Sequence, residues 1–509
     1  MSELLFTADQ DALQHAQPEA RVVPRAAEWL AVVACLVLHV ALRARGVGHL
    51  LMWDEARDVL ASQALAGGGG DTFAARLWVH PPAIPVLSLL MQPLIPGFAE
   101  RYEMLVIAIN ACAMVALFLL NRRIYGVATA LWSCFFLAVM PGALFFDVWI
   151  KGGAVVTLAT IGAVAALMGG KALLCGLCLG FALLDKETAA LSCVAVGMLA
   201  LLDSRHRTTK TIFAMVLTTL FTAGWWYAIF STTVKQWLKC ATGNAWDASC
   251  AMPWYKYFEW LYGDLGAAGS VLLLLGVASL AGSAWRERVK RVVRPYTWWP
   301  ILLTVVTYGV LTACRNKSSW FAMFAYPALA TVQAVGITAT ARACSARVPR
   351  LRHVWHALVA ACAGYMLVVA IMQRHEGVLR RMKYWEGPFR TREIARAVNE
   401  RIGPEERLLA TTLSFYGPAG YKLRSPIFDY YLTNVHVQTP MVSCQASFDD
   451  CTVIIITNRF DWALLTPEPG APAAALTNGF KSRFKLDPII LDNGTSFLYR
   501  TTSMYRQGD

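Results

Sequence analysis

Two adjacent carboxylates, Asp54 and Glu55, directly follow the first strongly apolar segment of the chain. They stand in the run Trp53-Asp54-Glu55-Ala56, about where that segment would leave a lipid bilayer. Carboxylates are not needed there to span a membrane and are poorly solvated, which favours a functional role. Such a carboxylate can accept a proton from a hydroxyl or amine. The alternative is an interfacial anchor, because tryptophan beside charged residues is common at helix ends.

Further ionisable side chains stand near the ends of other apolar segments: His80 (in His80-Pro81-Pro82), Asp147, Lys151, Lys186, Glu187, Arg315 and Lys317. Lysine and arginine neutralise a phosphate group. Breaking a sugar–phosphate bond builds positive charge on the sugar and negative charge on the leaving phosphate, so a site of mixed sign matches both ends of the transition state. The pattern favours a substrate with a phosphate in the headgroup zone and a lipid tail in the bilayer.

Structural roles stay open for several of these residues. His80 can cap the short helix that follows it, with Pro81 in the first turn. Asp147 and Lys151 are four residues apart and can form a pair on one helix face. Lys186 can extend its ammonium towards water from a helix end. Lys317 lies in a short positive loop on the less positive side of the predicted membrane protein, which is unusual and favours function.

Composition excludes a soluble protein. Of 509 residues, 57% are hydrophobic and 16% charged, whereas soluble domains carry about 25% charged residues. The net charge is +13, but the basic residues cluster between apolar runs. That is the positive-inside pattern of membrane proteins, so nucleic acid is excluded as a partner and membrane lipids are expected.

The fold class predicted is a polytopic α-helical membrane protein with about eleven transmembrane helices and a C-terminal extracytoplasmic α/β domain. The spans fall near 28–44, 103–120, 127–146, 153–169, 172–185, 188–202, 211–230, 268–285, 298–314, 320–341 and 353–373. Residues 1–27 form a cytoplasmic tail, 28–373 the membrane domain with a first outer loop at 45–102, and 374–509 the outer domain. The apolar segment 83–96 is too short to span and predicts a re-entrant or interfacial helix.

Orientation follows from the basic clusters. The segments 122–123, 205–210, 286–294 and 342–352 are rich in arginine and lysine and fall on one side, which is therefore the cytoplasm. The other side receives all the candidate residues above. It includes 147–153, 185–187, 231–267 and 315–319. The predicted site is thus at the outer face of an inner (plasma) membrane.

The C-terminal region, residues 374–509, combines a helical pattern with short apolar runs. The helix is predicted at 391–402, and strands at 408–413, 452–457, 489–491 and 497–499, the last two joined by Asp492-Asn493-Gly494. Two close cysteine pairs, Cys240/Cys250 and Cys444/Cys451, fall in outer segments and are candidate disulfides. The Cys175/Cys178 pair lies in an apolar helix without further ligands, which does not indicate a metal site.

The order of four motifs resembles the C-type glycosyltransferase superfamily, and most closely the group of protein O-mannosyltransferases and lipid A aminoarabinose transferases. The motifs are Trp53-Asp54-Glu55-Ala56, His80-Pro81-Pro82, Leu184-Asp185-Lys186-Glu187, and Lys317 followed by Ala325-Tyr326-Pro327. Each is common alone, but the four in this order at fitting span ends are fairly specific. The similarity covers about 50–340.

The resemblance implies an enzyme that moves a sugar from a polyprenyl-phosphate carrier to a lipid, glycan or protein acceptor on the outer face. It implies that Asp54 is the base or orients the acceptor, and that Glu55 is the second acid of the pair. Lys186 and Lys317 correspond to positions where relatives often hold the carrier phosphate. Relatives often have an aspartate later in the third outer loop than Asp147.

No cofactor is firmly predicted, and two carboxylates alone do not establish a metal, so a divalent ion stays an open alternative. A transporter or flippase of a lipid-linked sugar is the first rival, but it needs ionisable residues along the span interiors, where this sequence has almost none. The second rival is a membrane-anchored binding protein, which leaves Asp54 and Glu55 without a role.

Overall fold

The structure is a computed structural model. It describes residues 25–44, 81–95, 98–146, 153–229, 252–289, 295–314 and most of 317–381, together with isolated positions and nine strands between 407 and 504. The predicted helix at 391–402 and the cysteines Cys240 and Cys250 lie largely or wholly outside these residues.

Helices dominate the described part of the chain up to residue 381. They are α1 Arg25–Ala44, α2 Ala83–Leu90, α3 Phe98–Tyr125, α4 Val127–Val139, α5 Pro141–Phe146, α6 Ala154–Met168, α7 Ala172–Asp185, α8 Ala190–Leu202, α9 Thr209–Thr219, α10 Trp225–Ile229, α11 Lys256–Val289, α12 Trp299–Ala313, α13 Tyr326–Arg347 and α14 Arg352–Arg381. Short 3-10 turns stand at Glu187–Ala189, Pro295–Trp298 and Ser319–Ala325, and a π-helical turn at Leu220–Gly224 joins α9 to α10.

The helices confirm a multi-pass membrane protein. Six are long and apolar enough to cross a bilayer: Arg25–Ala44, Glu100–Tyr125, Thr209–Ile229, Lys256–Ser283, Phe321–Ala346 and His353–Met372. Four shorter apolar helices accompany them, at Val127–Val139, Ala154–Met168, Ala172–Asp185 and Glu187–Leu202. Every predicted span overlaps a helix, but the count of eleven transmembrane helices stays a prediction.

The span predicted at 127–146 is wrong as a single helix. It is broken at Met140, because Pro141 lacks the N–H that would continue α4. The guanidinium of Arg43, on α1, compensates by donating to the carbonyls of Leu137 and Ala138 at 3.2 and 3.1 Å. The break releases α5 as a separate short helix that leads into residue 147.

Two other boundaries also differ from prediction. The span expected at 268–285 begins already at Lys256 and is kinked at Gly266, whose φ is 67°, so part of the predicted outer segment 231–267 is helical. The span expected at 320–341 begins with a 3-10 turn, and its α-helix starts at Tyr326. The predicted spans overlap these helices, but the helix ends are set by kinks that hydropathy does not report.

Small residues allow the helix backbones to approach closely. A Cβ on Gly336 of α13 would clash with the carbonyl of Leu272 and lie 2.8 Å from the backbone nitrogen of Gly276, both on α11. A Cβ on Gly176 of α7 would likewise clash with the carbonyl of Met215 on α9. Glycine at these positions is the usual means of helix association in a membrane, where hydrophobic burial between helices is weak.

Uncharged polar side chains join the buried faces of three helices. The Asn121 amide on α3 donates to Ser133 on α4 at 3.0 Å and to Thr331 on α13 at 2.8 Å. Thr129 and Thr338 form a second link between α4 and α13, at 3.1 Å. These bonds fix the rotation of the helices without placing a charge inside the bundle.

The nine strands form two sheets. They are β1 Arg407–Thr412, β2 Tyr421–Lys422, β3 His436–Gln438, β4 Met441–Cys444, β5 Cys451–Ile454, β6 Trp462–Thr466, β7 Phe484–Leu486, β8 Leu491–Asp492 and β9 Phe497–Met504. The larger sheet has the order β3-β1-β6-β9-β7 with β8 also paired to β9, and the smaller has the order β2-β4-β5. Strand β1 is parallel to both β3 and β6, while the remaining pairs are antiparallel.

The strands overlap the runs expected from the sequence. The predicted pair joined by Asp492-Asn493-Gly494 is present as β8 and β9, with Leu491 opposite Leu498. That residues 374–509 form a separate domain outside the membrane stays a prediction.

Candidate functional site

Three of the predicted site residues, Lys186, Glu187 and Lys317, belong to the described part of the chain. The other six lie outside it: Asp54, Glu55, His80, Asp147, Lys151 and Arg315. The site is therefore described through Lys186, Glu187 and Lys317 and through the elements that flank the other six residues.

Lys186 directly follows the last residue of α7, and the chain reverses there before α8 begins. Its backbone is extended, and the 3-10 turn Glu187–Ala189 follows at once. Lys186 is only 5% exposed, and its ammonium lies over the ring of Phe321, 5.9 Å from the centroid. This burial differs from an ammonium that reaches out to water from a helix end, and the role of Lys186 in phosphate binding stays a prediction.

Asp185, the residue before Lys186, secures this corner. One of its carboxylate oxygens accepts a hydrogen bond from the backbone N–H of Val156, 3.3 Å away in the first turn of α6. The first N–H groups of a helix have no partner within the helix, and a carboxylate there satisfies both the donor and the helix dipole. The sequence motif singled out Asp185 only as a neighbour of Lys186, whereas its contact gives it a structural role.

Tyr227 of α10 holds the same corner from another side. Its hydroxyl donates to the carbonyl of Leu183 at 2.8 Å, close to the end of α7. The carbonyls in the last turn of a helix lack partners within the helix. The end of α7, and with it Lys186, is thus fixed by two side chains from different helices.

Lys317 lies in the loop between α12 and α13 and is only 3% exposed. Its ammonium donates to the carbonyl of Cys314, and no carboxylate of the described residues pairs with it. Burial lowers the pKa of the Lys317 ammonium, and the nearby Cys314 thiol opposes this only in part. The 3-10 turn that carries Phe321 follows directly, so Lys186 and Lys317 lie at one end of the helix bundle.

Phe146 and Gly153 flank the segment 147–152, which contains Asp147 and Lys151, and they contact the start of α13 and this turn respectively. On one side the ring of Phe146 stacks on that of Tyr326, with centroids 6.5 Å apart. On the other side, Gly153 lies so close to Met323 that a Cβ would clash with the methionine side chain. Phe146 and Gly153 therefore lie at the end of the bundle that holds the two lysines.

Described residues of 45–102, the segment predicted as the first outer loop, are bonded to one another, and a helix within it packs against α7. The Ser62 hydroxyl donates to the carbonyl of Pro85 at 2.9 Å and also bonds to the Tyr102 hydroxyl. Helix α2, which begins three residues after His80, packs against α7. It is short, as predicted, and its N-cap position is Pro82, which makes no side-chain capping bond.

Asp264 is an acidic residue of this region that the sequence analysis missed. Its carboxylate accepts a hydrogen bond from the Tyr326 hydroxyl at 2.9 Å and abuts Gly142 of α5. No spacing signal indicates Asp264 in the sequence, because it stands within a segment predicted to be an outer loop. Its closeness to the tyrosine of the Ala325-Tyr326-Pro327 motif arises only on folding.

Metal binding is not indicated by the described residues, which contain no group of three or more histidine, cysteine, aspartate or glutamate side chains able to hold an ion. Cys175 and Cys178 are free thiols within α7. The chemistry available at the described part of the site is that of two buried ammonium groups. A phosphate bound there would receive charge-assisted hydrogen bonds in a region of low dielectric.

No protein-family model matches the chain, and no curated protein matches it. Solved structures do resemble it. ArnT from Cupriavidus metallidurans in the apo state has a TM-score of 0.62 and 14% identity, covering 94% of this chain and 98% of that chain. The same protein bound to undecaprenyl phosphate has a TM-score of 0.59 and 15% identity, covering 92% and 97%.

A more distant likeness is to the oligosaccharyltransferase of Archaeoglobus fulgidus tethered to an acceptor peptide. Its TM-score is 0.52 at 10% identity, and the match covers 82% of this chain and 64% of that chain. At these identities the likeness shows a shared fold.

Proposed function

We propose that this chain, which has the fold of the C-type glycosyltransferase superfamily, is an integral membrane glycosyltransferase. It moves a sugar from a polyprenyl-phosphate-linked donor to a lipid, glycan or protein acceptor on the outer face of the membrane. The observation that carries the proposal is the burial of Lys186 and Lys317 at one end of the helix bundle.

The burial of an ammonium group is costly unless an anion compensates it. Among the described residues the partner of the Lys317 ammonium is a backbone carbonyl, which carries no charge. A phosphate beside Lys317 would supply that charge, and Lys186, at the same end of the bundle, would add a second cation. Loss of the sugar increases the negative charge on that phosphate, so both cations would stabilise the transition state more than the ground state.

The remaining roles follow the predicted motifs. Asp54 accepts the proton of the acceptor nucleophile, and Glu55 supports it or helps to bind a divalent ion. The cations Lys151, Lys186, Arg315 and Lys317 hold phosphate, while His80, Asp147 and Glu187 contact the substrates. The contacts of Phe146 with Tyr326 and of Gly153 with Met323, on either side of 147–152, support this grouping.

The comparison with ArnT supports the class of donor. That protein has been solved with undecaprenyl phosphate bound, and its fold matches this chain over 92% of the residues. A polyprenyl phosphate combines an anion for the buried lysines with a tail that remains in lipid. The oligosaccharyltransferase, tethered to an acceptor peptide, supports an acceptor outside the carrier lipid.

The location proposed is the inner (plasma) membrane, with the site and residues 374–509 on the extracytoplasmic side. The positive-inside pattern supports this orientation. The strand register adds support, because Cys444 and Cys451 are directly opposite in the antiparallel pair β4–β5. Opposed residues in such a pair have Cα atoms about 4.5–5.5 Å apart, within the range of about 4.4–6.8 Å that disulfides span, and disulfides persist in oxidising compartments.

A transporter of a lipid-linked sugar is the alternative. It would need charged groups along a path through the bundle. The described hydrogen bonds that join α3, α4 and α13 are instead formed by hydroxyl and amide groups, which favours the transferase.

The test is Asp54→Asn. Mass spectrometry first identifies the glycoconjugate that disappears from cells lacking the chain. Cells that carry only Asp54→Asn should then form at least about 100-fold less of this product than cells that carry the wild type. The reason is that a positioned base accelerates a reaction by at least about 100-fold. Undecaprenyl phosphate should still bind the purified variant in nanodiscs within about twofold of wild type, since the carboxylate acts on the acceptor.

The matched control is Glu259→Gln. Glu259 is exposed in the first turn of α11, where it pairs with Lys256, and its loss should leave product formation unchanged. Full restoration by Asp54→Asn would overturn the transferase proposal, since a transporter or binding protein has no need of that base.

A further inference from the structure

Asp264 is an acid at the end of the bundle for which the proposed reaction has so far no role. It lies on α11, two residues before the kink at Gly266. It is half-buried, and its carboxylate accepts the hydrogen bond from the Tyr326 hydroxyl. Tyr326 itself is only 1% exposed. The bond joins two helices at residues 62 positions apart in the chain.

Helix α5 rests on this pair at both of its ends. Near its start, a Cβ on Gly142 would lie 2.6 Å from Cγ of Asp264, so a side chain there would displace the carboxylate. At its last residue, Phe146 stacks on the ring of Tyr326. The direction in which α5 delivers the chain to residue 147 therefore depends on where the Asp264–Tyr326 pair lies.

Tyr326 also begins α13, immediately after the 3-10 turn Ser319–Ala325. That turn carries Phe321, which lies under the ammonium of Lys186, and it follows Lys317. The hydrogen bond from Tyr326 thus connects α11 to the element that contacts Lys186 and follows Lys317 in the chain. The Asp264 carboxylate thus fixes α5, which precedes Asp147, and the turn Ser319–Ala325 relative to each other.

We propose that Asp264 is a positioning residue for the carrier phosphate, acting through Tyr326 on α5 and on the turn Ser319–Ala325. The inference rests on the proposed function and deepens it, because it assigns a residue that sets the spacing of the phosphate-holding cations. The role requires a hydrogen-bond acceptor of the right size at position 264. Asparagine can supply that acceptor with its side-chain carbonyl, whereas leucine cannot.

The test measures binding of undecaprenyl phosphate to purified full-length protein in nanodiscs by native mass spectrometry. Asp264→Leu and Tyr326→Phe should each weaken binding about tenfold, because small displacements of binding groups have large effects. The double variant should be no weaker than either single one, since both remove the same bond. Asp264→Asn should stay within about threefold of wild type.

The matched control is Tyr125→Phe. The Tyr125 hydroxyl, at the last residue of α3, donates to the carbonyl of Thr297 at 2.7 Å. This bond lies before the start of α12, away from Lys317 at its other end, so its removal should not change binding. Tyr326→Phe is also the milder variant should Asp264→Leu not fold.

Three results would overturn the inference. Binding by Asp264→Leu and Tyr326→Phe equal to wild type, even with lower melting temperatures, would make the pair merely structural. Independent losses that multiply in the double variant would remove the coupling. Equal loss in Asp264→Asn and Asp264→Leu would show that the charge acts directly. A wild-type protein that fails to bind undecaprenyl phosphate would instead contradict the proposed function.

Discussion

The ammonium of Lys186 lies 5.9 Å from the centroid of the Phe321 ring. The two residues come from the end of α7 and from the turn that precedes α13, so this contact unites distant parts of the chain. Lys317 stands just before that turn. The contact therefore places Lys186 beside the turn Ser319–Ala325, which begins just after Lys317, so both predicted phosphate ligands are tested together.

Replacing either lysine should weaken carrier binding. Lys186→Met and Lys317→Met each keep an unbranched side chain but remove a charge-assisted bond to phosphate, so we expect at least about tenfold weaker binding of undecaprenyl phosphate. Native mass spectrometry of protein in nanodiscs measures this. Lys171→Met is the control, because Lys171 is exposed at the opposite end of α7. Equal binding by all three variants would contradict the site.

Carrier binding should depend on pH through Lys317. Burial lowers the pKa of this ammonium, so it loses its proton as the pH rises towards a value below the ordinary lysine pKa of about 10.4. The charged form binds phosphate, and affinity is therefore full below the lowered pKa and decreases above it. A titration of undecaprenyl phosphate binding between about pH 7 and 10 should show this decrease in wild type. In Lys317→Met it should be smaller, and identical profiles would refute the assignment.

Close packing of α11 against α13 should be sensitive to one glycine. Gly336→Leu would force atoms into the backbone of Leu272 and Gly276, and overpacking of this kind costs about 1–3 kcal/mol. The melting temperature of the purified protein should decrease by several degrees. Gly309→Leu is the control, because a Cβ at Gly309 of α12 meets nothing within 4 Å. A stable Gly336→Leu protein would contradict the helix contact.

Arg43 should stabilise the break that Pro141 causes between α4 and α5. Arg43→Met leaves the carbonyls of Leu137 and Ala138 without their described donors, and an unsatisfied buried group costs about 1–3 kcal/mol. The melting temperature should decrease, and Arg43→Lys should restore it only in part because an ammonium lacks the planar fork. Arg25→Met, at the exposed start of α1, is the control. Full stability of Arg43→Met would show that the carbonyls find other donors.

A disulfide should join Cys444 and Cys451. Their opposed positions in β4 and β5 are compatible with a bond that closes a short loop, which would stabilise the folded protein by about 2 kcal/mol. Peptide mass spectrometry of unreduced protein from the native membrane should find the linked pair. The pairing should persist when Cys240 and Cys250 are replaced by serine. Ready maleimide labelling of both thiols without reductant would contradict the bond.

Hydropathy and charge were sufficient to predict a multi-pass membrane protein and the approximate position of its helices. They were also sufficient for β1 and for the β8–β9 pair, because short apolar runs and the Asn493-Gly494 dipeptide are local signals. Helix ends were predicted less well. Hydropathy does not report the break before Pro141 or the early start of α11 at Lys256, and the donor that satisfies the carbonyls at that break, Arg43, stands 95 residues from its acceptor Ala138.

The sequence by itself determined which residue types are available for chemistry and at which span ends they stand, since apolar runs and their flanking charges are properties of neighbouring residues. Only the tertiary structure decided that Lys186 and Lys317 are buried at one end of the bundle, that Asp185 holds the start of α6, and that Asp264 binds Tyr326. The reason is physical. How each helix is rotated, and which ends meet, is set by glycine contacts and buried hydrogen bonds between residues far apart in the chain.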